Sequence, residues 1–232
     1  MNHKITALRL QKRNRQRVNV YLDGEFAFGL ARIVAAWLQS GQEISDEKIA
    51  QLKKEDAREV AYQQILKLLH YRPRTESEMI QNLRKHKVDE EIISEVMDRL
   101  KQNGLVDDTR FAQAWVENRN DLRPRSRRAL AYELRQRGVD SQVIEQSIEQ
   151  LDDEALAYQA ALQQARKLKK LDWQDFRQKM LGFLARRGFN YEVSAPVVSR
   201  VWAEQHQDET VEDDPYADLD ANNLSDNEEV DP

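Results

Sequence analysis

The chain has 232 residues, 36 Lys and Arg against 41 Asp and Glu, and no cysteine. That composition excludes disulfides, thiolate metal sites and cysteine nucleophiles, and the four histidines (His3, His70, His86, His206) lack ligand spacing, so structural zinc is excluded as well. No run approaches the ~18 apolar residues that cross a bilayer, and the first residues lack the apolar stretch of an export signal, so a cytoplasmic protein without a membrane partner is expected.

The net charge of −5 conceals an asymmetry. Glu204 to Pro232 holds twelve acids and no Lys or Arg, which leaves 29 acids against 36 bases on residues 1–203. A basic body therefore carries an acidic end. Few large apolar residues and no helical period after His206 predict a disordered acidic tail over 206–232.

In chain order, Ile5, Leu8 and Leu10, then Val18 to Leu22, then Phe26 to Phe28 alternate as strands, with Asp23-Gly24 as a hairpin turn. A three-stranded meander is expected, followed by a short apolar helix over 30–38; together they fill residues 1–44. Ser45 then caps a linker helix that opens with Asp46 and Glu47. From there to about residue 205 the period is helical. Helices are expected over about 57–70, 75–87 and 89–102, then 107–121, 126–137 and 140–151, then 153–169, 172–187 and 190–205.

These nine segments form three copies of one unit. A shift of 51 lays Arg72-Pro73-Arg74 on Arg123-Pro124-Arg125, Leu83 on Leu134 and Val88-Asp89 on Val139-Asp140; a further 50 carries Leu134 to Leu184 and Val139 to Phe189. Gly138 and Gly188 stand where the second helix of a unit must stop, although the first unit has Lys87 there. The fold class predicted is all-α: three tandem three-helix repeats forming an elongated curved solenoid, with the small N-terminal meander and the acidic tail. The domain boundaries expected are 1–44, 45–105 (linker helix and repeat 1), 106–151, 152–205 and 206–232.

No phosphate loop, nucleophile elbow or recurrent acidic metal cluster occurs, and acid pairs such as Asp107-Asp108 fall in first helical turns, where the helix dipole accounts for them. Neither an enzyme nor a cofactor is indicated. The informative departure is Arg123, Arg125, Arg127 and Arg128 crowding the start of a helix, where cations oppose the positive helix end. Arginine forks and free helix-start N–H groups suit phosphate. Arg135 and Arg137 continue the charge, and Arg186 and Arg187 repeat it in the third unit. The competing reading is a set of ion pairs with acids of the neighbouring unit. The basic hairpin tip (Arg9, Lys12, Arg13, Arg15, Arg17) reads as solvated. Aromatic residues mostly fall at helix-face spacing and read as core; Tyr71 and Phe189, beside basic residues at turns, are the exceptions.

Tyr71-Arg72-Pro73-Arg74-Thr75, Gly104-Leu105-Val106-Asp107-Asp108 with Phe111-Ala112, Arg123-Pro124-Arg125-Ser126, and Leu134-Arg135-Gln136-Arg137-Gly138-Val139 resemble the RecX family of bacterial RecA regulators. The resemblance spans about residues 55–203 and implies a monomeric protein that binds in the groove of the RecA filament on single-stranded DNA. It would restrain ATP hydrolysis, strand exchange and filament growth, without catalysis or a cofactor of its own. The contact candidates are Arg72, Arg74, Arg123, Arg125, Arg127, Arg128, Arg135, Arg137, Arg186 and Arg187, meeting DNA phosphate or RecA acids. The alternative is a stand-alone helix-turn-helix DNA-binding protein, which requires base readout by a recognition helix.

Overall fold

Asp23 and Gly24 both adopt positive φ (51° and 98°), the requirement of a two-residue hairpin turn whose twist matches its strands. That turn joins β2 (Arg17–Leu22) to β3 (Glu25–Ala31), and β2 also pairs antiparallel with β1 (Asn2–Leu10). A computed structural model describes residues 1–211, with side chains through His206, and adds a strand to the expected meander: β4 (Glu43–Ser45) pairs with β1, giving the order β3-β2-β1-β4. Three residues are too few to show an alternating pattern, so this strand is invisible in the sequence. The helix expected over 30–38 is also replaced. β3 runs to Ala31, and only Val34–Trp37 turn, as a 3₁₀ segment. Ile5, Val18, Val20, Leu30, Ala35, Leu38 and Ile44 form the small core of this region, closed by Leu52 from the first helix.

That helix, α1, runs without a break from Asp46 to Tyr71. The expected division into a linker helix and a helix from about 57 is absent, since no Gly or Pro lies between its ends to stop it. Ser45 caps it by accepting from the Lys48 N–H at 3.3 Å. One end of α1 thus serves the sheet, where Asp56 accepts from the Ala31 N–H (2.5 Å) and Arg17 (2.9 Å). The other end serves the first repeat, where Ala61, Tyr62 and Ile65 join Met79 and Leu83 of α2 (Glu76–Lys85) and five apolar residues of α3 (Glu90–Gln102).

The second repeat comprises α4 (Asp108–Leu122), α5 (Arg127–Gln136) and α6 (Ser141–Ile148); the third comprises α7 (Asp153–Ala165), α8 (Trp173–Arg186) and α9 (Tyr191–Val211). α9 extends past the expected end at 205, and the acidic tail expected beyond it lies outside the described residues. By packing, the chain divides into two compact units. One holds residues 1–114 with 134–147; the other holds 115–133 and the chain from Ile148 on, so α4 and α5 contribute to both. In the second unit Leu156, Ala157, Ala160, Ala161 and Ala165 of α7 pack on Phe176, Met180 and Leu184 of α8 and on Val197, Val198 and Val201 of α9.

All three repeats turn identically between their second and third helices. Val88, Val139 and Phe189 each donate N–H to Leu83, Leu134 and Leu184 at 3.2 Å, while the preceding residue is left-handed: Lys87 φ 58°, Gly138 φ 75°, Gly188 φ 92°. This is a helix stop in which a six-residue hydrogen bond and an apolar contact close the last turn. Lys87 therefore makes the same turn as the glycines, its side chain reaching solvent. The glycines have a second reason. A Cβ on Gly138 would lie 2.3 Å from Ser77 Oγ, and one on Gly188 would lie 2.5 Å from Ser126 Oγ and 2.7 Å from Ala129 Cβ. At these two points the end of one repeat's second helix presses on the start of its counterpart in the preceding repeat.

Candidate functional site

The two pressing points are equivalent junctions. In the first, Thr75, fully buried, caps α2 by accepting from the Glu78 N–H (3.2 Å) and donates its hydroxyl to the Arg137 carbonyl (2.6 Å). In the second, Ser126 accepts from the Ala129 N–H (3.2 Å) and donates its own N–H to the Arg187 carbonyl (3.1 Å). The next repeat's first helix completes each helix start: Asp108 accepts from the Glu76 N–H (2.9 Å), and Asp153 accepts from the Arg127 N–H (2.7 Å). Burial raises the Asp108 carboxyl above its ordinary value, against the bond to Glu76. Asp153 also changes the reading of α5. The cations at its first turn looked uncompensated, but a carboxylate from α7, 26 residues on, answers that helix end.

What differs is the charge set on this shared frame. At the first junction Arg72 forks onto Glu78 (2.9 and 3.3 Å), Arg137 reaches the same carboxylate at 2.7 Å, and Arg74 stands 3.9 Å from it. These three candidates are ion-paired around Glu78, whose side chain is only 18% exposed. At the second junction the counterparts are Arg123, Arg125 and Arg187, and the place of Glu78 is taken by Ala129. Arg125 turns instead to Glu133 (2.5 Å), which also accepts from Arg119 (3.1 Å) and the Trp115 indole N–H (2.8 Å). Arg187 donates to the Pro124 carbonyl (3.0 Å) and lies over the Phe183 ring at 4.5 Å. Burial, then the nearby Arg125 and Arg123 charges, lower its pKa from the ordinary arginine value. Glu133 answers Arg125 and Arg119, so of the three counterparts Arg123 and Arg187 are the arginines without an ion pair among the described residues.

Of the ten candidates, then, Arg72, Arg74, Arg125 and Arg137 are held by acids, and Arg187 by a carbonyl and a ring. Arg123, Arg127, Arg128, Arg135 and Arg186 are exposed and make no ion pair among the described residues. Arg123, Arg127, Arg128 and Arg186 belong to the second junction or its flanks. Phe189 does not join them, since it is 4% exposed and part of the core. Tyr71 is open to solvent as expected; Tyr132, on α5 one turn beyond Arg128, is open too, against its reading as core. A second cationic element lies outside these ten candidates: Arg166, Lys167, Lys169 and Lys170, all exposed, on the turn between α7 and α8. Four cations in five residues were the available signal. Among the described residues no group of three His, Asp or Glu is placed to hold a metal, and no helix is long and apolar enough to cross a membrane.

Family models match nearly every described element: the regulatory protein RecX N-terminal domain at residues 3–45, and the RecX first, second and third three-helix domains at 61–100, 107–148 and 152–198. Regulatory protein RecX of Streptomyces coelicolor is 39% identical over 146 residues, covering 62% of this chain and 78% of its own. That of Leuconostoc mesenteroides is 31% identical over 206 residues, covering 87% and 77%. A crystal structure of regulatory protein RecX superposes with a TM-score of 0.64 at 28% identity over 84% of this chain and 98% of its own. RecX from Lactobacillus salivarius, at 20% identity and a TM-score of 0.56, shares the fold. With three matching helical repeats behind a matching N-terminal sheet, the chain belongs to the RecX family of regulatory proteins.

Proposed function

We propose that this protein regulates RecA by binding its filament on single-stranded DNA, restraining ATP hydrolysis, strand exchange and filament growth. It acts as a cytoplasmic monomer through binding alone, without a cofactor. Family membership supports the regulatory role. The observation that supports the site is the second junction, where a repeated frame keeps its arginines and loses the acid that neutralises them in the first. Arg123, Arg127, Arg128 and Arg186 are the contact residues. Arg187, fixed by Pro124 and Phe183, supplies charge from behind them. Arg135 is a further contact on α5. Their partner is anionic, either DNA phosphate or acidic side chains of RecA, for which guanidinium forks are suited.

Titration of the protein into a RecA ATPase assay on single-stranded DNA tests the role. Inhibition that saturates supports it, and an unchanged rate at saturating protein contradicts it. Salt dependence of binding distinguishes the two anions, because each phosphate contact to a single strand adds about 0.7 to the slope of log K against log salt.

A further inference from the structure

The second cationic element stands apart from the junction and has its own geometry. Between α7 and α8 the chain makes a tight turn in which Lys167, Leu168 and Leu171 donate N–H to Gln164, Ala165 and Leu168 at 2.8–3.1 Å. Leu168 and Leu171 pack into the core of the third repeat, so Arg166, Lys167, Lys169 and Lys170 are left facing solvent on an anchored loop. None of the four makes an ion pair among the described residues.

α9 packs against the start of α8, just past this turn, through Trp202. Trp202 packs on Trp173, the first residue of α8 and three past Lys170, with ring centroids 5.4 Å apart; His206 stacks on Trp202 at 3.7 Å. The chain that continues from there is the acidic end. Residues 207–232 carry Asp208, Glu209, Glu212, Asp213, Asp214, Asp218, Asp220, Asp226, Glu228, Glu229 and Asp231, with no Lys or Arg. Glu204, the last acid before them, is already taken by Arg200 (2.8 Å) and Tyr158 (2.6 Å). Residues 212–232 alone can span up to ~70 Å, so reach does not limit them. Tethering at this point gives an intramolecular anion an effective concentration of order mM.

We propose that Arg166, Lys167, Lys169 and Lys170 form a polyanion-binding site whose resident occupant is the chain's own acidic C-terminal segment, which must be displaced before nucleic-acid phosphate can occupy the turn. The segment thereby makes DNA binding through this turn conditional on ionic strength and on competing anion. The inference rests on the proposed function only in taking DNA as the competitor; occupancy of the turn by the segment does not depend on RecA.

Zero-length carbodiimide crosslinking of the full chain at low ionic strength, mapped by mass spectrometry on a mixture of isotopically light and heavy protein, reads the contact directly. The expected products join Lys167, Lys169 or Lys170 to carboxylates of residues 208–231 within one molecule. Crosslinks from the segment only to other lysines, mixed light–heavy products, or no crosslinks overturn the proposal. A second measurement uses fluorescence anisotropy with a single-stranded thymidine oligonucleotide. Neutralising Glu212, Asp213, Asp214, Asp218 and Asp220 to Gln or Asn should raise affinity about five- to tenfold at low salt, an effect that screening removes. With Arg166, Lys167, Lys169 and Lys170 all changed to Gln, the same neutralisation should change affinity less than twofold. An equal gain in both backgrounds overturns the site. Crosslinks and displacement without any effect on RecA would leave this inference standing and remove the proposed function instead.

Discussion

The two junctions between repeats are built to one plan and charged to two. Each joins a buried Thr or Ser cap, a left-handed glycine pressed against the preceding repeat, and an Asp from the following helix. The first closes its arginines around Glu78; the second has Ala129 at that position and leaves Arg123, Arg127, Arg128 and Arg186 open. A repeat protein offers its own control in this way. What the junctions share serves the frame, and what only one possesses calls for another explanation. Arginine at α5 where α2 has Glu76 and Ser77 is such a difference, and an anionic partner is the explanation we propose for it.

The frame should break first at its glycines. Gly188→Ala introduces a Cβ into occupied space at positive φ, and should destabilise the protein by about 2–4 kcal/mol in chemical denaturation. Gly138→Ala should behave alike. A loss under ~0.5 kcal/mol at either would mean that the repeats do not press together as described. Next comes the first junction's hub: Glu78→Gln should cost about 1–2 kcal/mol, discounted because Arg72 is nearly half exposed, and should leave RecA inhibition within about twofold. The converse exchange sharpens the comparison. Ala129→Glu gives the second junction the acid it lacks, and should hold or raise thermal stability while weakening inhibition several-fold. The smallest effect belongs to Lys87→Gly. This relieves a positive-φ lysine that no neighbour crowds, and should move stability by less than about 1 kcal/mol in either direction.

The repeat was legible because its apolar positions and helix stops recur at a fixed offset, which a single chain displays without any structure. Even the Lys87 turn obeyed the register that its residue type put in question. The partners of the charges were not legible. Glu78 and Arg137 lie 59 residues apart, as do neighbours in no pattern that periodicity detects, and Asp153 answers the α5 helix end from the next repeat. Four of the candidate arginines are therefore tied to acids, the alternative that the sequence leaves open without naming the acids, while the cations of the Arg166–Lys170 turn point outward only because Leu168 and Leu171 point inward, which no periodicity shows. β4 was too short for any pattern, and the division of α1 came from looking for repeat boundaries where the helix has no breaker. Phe189 seemed available beside its arginines, yet the helix stop at Gly188 turns it into the core.

The central claim is that the open arginines of the second junction bind and the closed ones of the first support. Replacing Arg127 and Arg128 together with glutamine, and measuring melting temperature and RecA ATPase inhibition on the same preparation, tests it most directly. Both side chains are exposed, so melting should stay within about 2 °C, while the protein needed for half-inhibition should rise at least about tenfold, roughly 1.4 kcal/mol of binding. A variant that melts distinctly lower and inhibits RecA as well as the parent would show these arginines to be scaffold.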